Sequence, residues 1–125
     1  MEQDKAQKIV LVVDDSSLAR MLIRNLLRQS YPDWQVVETK SAEEALEQLT
    51  HITPSVALID YNMPGMNGLD LALKILEKYP TAQAHLVTAN IQGKMQERAE
   101  AAGIGFITKP VSAEKLHRAI TASSP

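Results

Sequence analysis

The chain has 125 residues, of which 45% are hydrophobic and 22% charged, enough for one ordinary domain to bury its own core. Cysteine is absent, which excludes disulfides, thiolate catalysis and cysteine-held metal sites and suits a cytoplasmic setting. The formal net charge of −2 argues against direct nucleic-acid binding, and no apolar run is long enough to span a bilayer.

Met1 to Lys8 is polar, and the apolar run that follows meets Asp14-Asp15 instead of a small-residue cleavage site, so no signal peptide is read there. Ile9 to Val13 is a continuous β-branched run, as expected of a strand buried on both faces. Leu18, Leu22 and Leu26, with Ala19 and Ile23 beside them, recur at the spacing of an apolar helix face. Gln35 to Glu38 is a short candidate strand, with Trp34 before it. Ser41 to Glu44 has the form of a capping box, and Ala42, Ala45, Leu46 and Leu49 follow at helical spacing. Val56 to Ile59 is another buried-type strand, and Asp60 closes it. Pro64-Gly65 and Asn67-Gly68 mark turns before the stripe Leu69, Ala72, Leu73, Leu76. Ala84 to Thr88 is a fourth strand, and Ile91 to Ala102 a helix poor in large apolar residues, stopped by Gly103. Ile104 to Thr108 is the last strand, and Ser112 caps a final helix through Leu116 and Ile120.

Five successive strand–helix units predict an α/β fold: a doubly wound parallel sheet with helices on both faces. In such sheets ligands sit outside the carboxyl ends of the strands. Asp14 and Asp15 follow the first strand, Asp60 ends the third, Thr88 ends the fourth and Lys109 follows the fifth, so all are expected at one edge. Three carboxylates in one crevice repel unless a cation or proton joins them. Mg²⁺ suits that need, since it takes oxygen ligands from one or two carboxylates, waters and a phosphate. Asp15 and Asp60 would ligate directly, Asp14 through water, and Asn62 through its backbone carbonyl. Asp60 is then a nucleophile towards phosphorus, with Lys109, the Thr88 hydroxyl and backbone amides near Ala89 to hold phosphoryl oxygens. Taken singly, the Asp pair is an ordinary cap, the threonine a strand former, the lysine a solvated charge and Phe106 a core residue. Only their joint placement points to a site. His51, His85 and His117 show no ligand spacing and are given no role.

These residues resemble the response-regulator receiver family. The resemblance rests on Val12 to Asp15, Asp60 to Gly68, Thr88-Ala89 and Lys109-Pro110, and it covers nearly the whole chain, about 8–122, as a single domain. It implies the flavodoxin-like strand order 2-1-3-4-5 with five helices. It implies Asp60 as phosphoacceptor, Asp14 and Asp15 as Mg²⁺ holders, and Lys109 as a phosphoryl contact. Thr88 would move towards the phosphoryl group and Phe106 would turn inward. Pro110 is a candidate for a cis peptide. The phosphoryl donor would be a histidine kinase or histidine phosphotransfer protein, with no enzymatic turnover beyond the domain's own phosphorylation and dephosphorylation. The expected readout surface for a downstream protein is the Ile91–Ala102 helix, Phe106 and the last helix, without nucleic acid or membrane. Asn67 stands where aspartate is commoner and should alter only a turn. The chain stops at Ser124-Pro125, which fits both a domain that works alone and one cut from a longer chain.

Two other readings use the same residues. A Mg²⁺-dependent phosphatase with an aspartate nucleophile would want a second aspartate two residues on, where Asn62 stands. A phosphorylation-independent scaffold would commonly have lost an acidic residue or the lysine, and all are present.

Overall fold

The computed structural model describes residues 8–91 and 93–122; the ends of the chain read above lie outside them. β-Branched runs with no polar alternation should form central strands, and they do: β1 (Ile9–Val13) and β3 (Val56–Asp60) are buried almost throughout. With β2 (Gln35–Thr39), β4 (Gln83–Thr88) and β5 (Gly105–Thr108) they form, among the described residues, one parallel sheet of order β2-β1-β3-β4-β5. This is the doubly wound, flavodoxin-like arrangement.

Alternation along the strands divides the core between two faces. Leu11, Val13, Ala57, Ile59, Ala84 and Leu86 face α2 (Ala42–Gln48), α3 (Gly68–Lys78) and α4 (Gly93–Ala101). Val10, Val12, Val56, Leu58, Val87 and Ile107 face α1 (Ser17–Ser30) and α5 (Ala113–Ala122). Each fully buried leucine or isoleucine contributes about 1.5–3 kcal/mol over its exposed state.

The helix starts follow their caps. Ser16 Oγ accepts from the Ala19 N–H at 3.2 Å, Ser41 Oγ from the Glu44 N–H at 3.1 Å, and Ser112 Oγ from the Lys115 N–H at 3.2 Å. Glu44 closes its box one residue early, accepting from the Lys40 N–H at 2.9 Å.

Three expectations are corrected. The Leu18–Leu22 stripe of α1 does not face the core: Leu18 is 59% and Leu22 53% exposed, while Ile23 and Leu27 are the buried pair. The helix has two adjacent apolar stripes, and the sheet covers only one. The helix read as Ile91–Ala102 runs from Gly93 to Ala101; Gly93 has φ of 33°, outside the right-handed helical region, and Gln92 lies outside the described residues. Asn67 does more than shape a turn, because it caps α3, its Oδ1 accepting from the Asp70 N–H at 2.9 Å. Among the described residues, no helix is long and apolar enough to cross a membrane.

Candidate functional site

Strand register builds the site. Val13 pairs with Ile59, so Asp14 and Asp60 are the next residues on neighbouring strands. Asp60 pairs with Val87, Thr88 with Thr108, and the Lys109 N–H donates to the Thr88 carbonyl at 2.9 Å. The four carboxyl ends thus deliver Asp14, Asp60, Thr88 and Lys109 to one edge. Asp15 stands one residue beyond Asp14.

One carboxylate oxygen from each of Asp14, Asp15 and Asp60 lies within 4.8 Å of the other two. Asp14 and Asp60 are buried and Asp15 is exposed. Lys109 Nζ bridges the buried pair, 3.3 Å from Asp60 Oδ1 and 3.7 Å from Asp14 Oδ2. Burial holds the Asp60 carboxyl above the usual carboxylate range, and the Asp14 charge adds to this; Lys109 and the Asn62 N–H pull it back.

Asp14 is fixed on three sides. Its N–H donates to the Thr39 carbonyl at 3.1 Å, and its Oδ1 accepts from the Ser16 N–H at 2.9 Å. Its carbonyl accepts from Arg20 Nη1 at 2.6 Å. Its Oδ2 is buried and, among the described residues, accepts no hydrogen bond, with Lys109 Nζ 3.7 Å away. A carboxylate oxygen left without a hydrogen bond beside two further carboxylates is a donor set suited to a hard divalent cation.

The β3–α3 loop is pressed onto the site by a close backbone approach. A Cβ on Gly68 would lie 2.4 Å from the Asp60 carbonyl oxygen and 2.8 Å from Tyr61 Cα. Gly68 also donates its N–H to the Tyr61 carbonyl at 3.0 Å. Glycine is what lets the α3 N-terminus sit against the residue that carries the carboxylate.

Other residues singled out in the sequence lie around this cluster. Asn62 and Ala89 are exposed. Thr88 is buried, and its hydroxyl is engaged locally: it donates to the Asn90 carbonyl at 3.0 Å and accepts from the Asn90 N–H at 3.2 Å. It borders a cavity of about 430 Å³ with Tyr61, Asn62, Asn90, Lys94 and Met95. Phe106 is partly buried against the core on the α2–α4 face. The Lys109–Pro110 peptide is cis. Nothing in the sequence points to a role for Arg20 or Glu38, and Gly68 stands out there only as part of a turn and of the Asp60–Gly68 motif.

Residues 10–121 match the family model of the response regulator receiver domain. The chain is 41% identical over 105 residues to a protein-glutamate methylesterase/protein-glutamine glutaminase of Archaeoglobus fulgidus, covering 81% of this chain and 29% of that protein. It is 30% identical over 113 residues to the chemotaxis protein CheY of Listeria monocytogenes, covering 89% of this chain and 93% of that one. The chain therefore spans under a third of the first relative and nearly all of the second. Among solved structures it is similar to the chemotaxis response regulator CheY4 of Vibrio cholerae, with a TM-score of 0.82 and 23% identity over 95% of this chain and 100% of that one, a likeness of fold.

Proposed function

The chain belongs to the response regulator receiver family, and from that membership we propose that it is a phosphorylation switch whose phosphoacceptor is Asp60. The observation that carries this reading is a cluster of three carboxylates in which the buried Asp14 Oδ2 accepts no hydrogen bond among the described residues and Lys109 bridges Asp14 and Asp60.

In this reading Asp14, Asp15, Asp60 and the Asn62 backbone carbonyl hold Mg²⁺, which when bound neutralises charge among the carboxylates and on the phosphoryl oxygens. An Asp60 carboxylate oxygen attacks phosphorus on a phosphohistidine of a histidine kinase or histidine phosphotransfer protein. The P–N bond breaks, and the imidazole nitrogen keeps the electron pair. Lys109 contacts the new phosphoryl oxygens, the Ala89 amide donates to them, and the Thr88 hydroxyl leaves Asn90 to do the same. Phe106 turns inward behind it, and the face formed by α4, Phe106 and α5 is read by a downstream protein. The donor protein docks over the exposed Leu18, Met21 and Leu22; Leu22 also lines a groove of about 420 Å³ that reaches Asp14, Lys109, Pro110 and Val111. The domain acts as a single unit in the cytoplasm and turns over no separate substrate.

Adding Mg²⁺ and beryllofluoride to ¹⁵N-labelled protein tests this. Shifts should spread from the crevice to α4 and β5, and Asp60→Asn should abolish them. No response in the wild type would leave the phosphorylation-independent scaffold. Steady hydrolysis of a small phosphoester would instead favour the phosphatase.

A further inference from the structure

A network on the flank of the crevice has no part in the chemistry just described. Arg20, on the first turns of α1, donates from Nη1 to the Asp14 carbonyl at 2.6 Å. Its Nε lies 3.5 Å from Glu38 Oε1, and the other oxygen of Glu38 accepts from Arg24 Nη1 at 2.7 Å. Glu38 is next to Thr39, whose carbonyl takes the Asp14 N–H and whose hydroxyl donates to the Val12 carbonyl at 3.2 Å. Two consecutive residues at the end of β2 therefore secure both sides of the Asp14 peptide, Thr39 directly and Glu38 through Arg20.

We infer that Arg20 is a positioning residue for the cation-binding carboxylates, with Glu38 as its brace. This rests on the proposal that Asp14, Asp15 and Asp60 hold Mg²⁺. The Asp14 side chain keeps one oxygen, Oδ2, for the crevice, while its other polar groups are committed elsewhere. Where that oxygen points depends on the orientation of the Asp14 backbone. The Ser16 bond is local and turns with the loop, so it cannot fix that orientation. The Thr39 bond holds only the N–H side. Arg20 holds the carbonyl side, where the chain leaves the sheet for Asp15 and α1.

The arginine's geometry suits this task. Its planar fork presents Nη1 to the carbonyl while Nε faces a carboxylate, so one rigid group joins α1, β1 and β2. The ion pair with Glu38 is partly exposed, with side-chain exposures of 18% and 25%, and an isolated pair of that kind contributes little to folding. Its effect is on direction: it keeps the guanidinium where the carbonyl needs it. The charge of Arg20 by itself works against a bound cation through repulsion. Positioning and charge therefore predict opposite results when Arg20 is removed.

The experiment is a calorimetric MgCl₂ titration of the whole chain as wild type, Arg20→Met, Arg20→Lys and Glu38→Ala, with urea denaturation of each and the Asp14 carbonyl ¹³C shift as an independent readout. Loss of an outer partner of a metal ligand commonly costs 10–100-fold in metal affinity, so Arg20→Met should weaken Mg²⁺ binding roughly tenfold. Arg20→Lys keeps the charge and loses the fork, and should fall between. Glu38→Ala should weaken binding less than Arg20→Met. The Asp14 carbonyl shift should move in Arg20→Met even without Mg²⁺. Equal or tighter Mg²⁺ binding by Arg20→Met overturns the inference, as does a Lys variant that matches wild type. Should Arg20→Met fail to fold, the Lys and Glu38→Ala variants decide alone: unchanged affinity in both overturns it. If wild type binds no Mg²⁺ at millimolar concentration, the proposed function falls instead, and the two failures are told apart.

Discussion

Acidification should destabilise this domain through one residue remote from the crevice. His85 lies in mid-β4, is 2% exposed, and pairs in register with Gly105 on the edge strand. Its Nε2 is 3.1 Å from Gln83 Oε1, while Nδ1 is buried with no hydrogen-bond partner among the described residues. Burial pushes the imidazole pKa down from 6.5 to about 4. The unfolded chain binds a proton near pH 6.5 that the folded chain refuses until about pH 4. Stability therefore rises with pH through that window, is complete above it, and is lost as pH falls through it. At about 1.36 kcal/mol per pH unit the full window is worth roughly 3 kcal/mol, a large share of the 5–15 kcal/mol typical of a domain. Urea unfolding of wild type and His85→Gln between pH 7.5 and pH 4 measures it, because the carboxylates titrate alike in both and cancel in the difference. The gap between the two proteins should change by about 3 kcal/mol between pH 7 and pH 4, with wild type losing more. Parallel profiles would refute the claim that the neutral ring is locked in by burial.

Asp60, the Gly68 approach and the packing around His85 yield three further tests. The raised Asp60 pKa means that ionising this carboxyl costs folding stability above its folded pKa, so Asp60→Asn should melt higher than wild type at pH 7 without Mg²⁺. Added MgCl₂ should then stabilise wild type more than the variant, as differential melts would show. A Cβ at Gly68 meets backbone atoms of Asp60 and Tyr61 that cannot swing aside. Gly68→Ala should cost about 1–3 kcal/mol in urea unfolding and slow the proposed phosphorylation of Asp60. A Cβ at Gly105 would lie 2.5 Å from His85 Nδ1, so Gly105→Ala should cost a similar amount, about 1–3 kcal/mol. A second change, His85→Ala, should cancel part of that loss; strict additivity would show that the two residues do not compete for space.

The site carboxylates were legible because they need only topology. Once Ile9–Val13, Val56–Ile59 and Ala84–Thr88 are read as parallel strands, their carboxyl ends share an edge, and the residues that follow each run must meet. The facing of α1 was not legible in the same way. Leu18 and Leu22 make one apolar row, and Ile23 and Leu27 make the next, a third of a turn away. Spacing alone does not say which row meets the sheet; the crossover from β1 decides it. The start of α4 was obscured because Ile91 continues the apolar pattern while Gly93 interrupts the backbone with a positive φ. Arg20 and Glu38 lie on different elements, and their partnership arises only when β2 pairs beside β1. Periodicity carries no trace of such a contact.

Charge accounting connects the crevice to the part of the fold that moves in the proposed switch. Ionised, Asp14, Asp15 and Asp60 carry three negative charges against the one positive charge of Lys109. A divalent cation balances the remaining two. In the proposed switch, phosphorylation of Asp60 would replace one negative charge with about −1.5 to −2 and add acceptor oxygens, so the balanced site would again need donors. Asp14, ionised, has no donor to offer. Thr88 can supply one, because among the described residues its hydroxyl is held by Asn90 alone, two residues further along the chain. The helix after that loop resists little: Ala99 is its one fully buried residue among those described, and its tie to α3 is an exposed Arg98–Asp70 pair at 3.6 Å. The rigid side of the crevice, braced by β2 and Arg20, fixes where charge collects. The loosely packed side, from Thr88 to α4, is where the rearrangement is least costly.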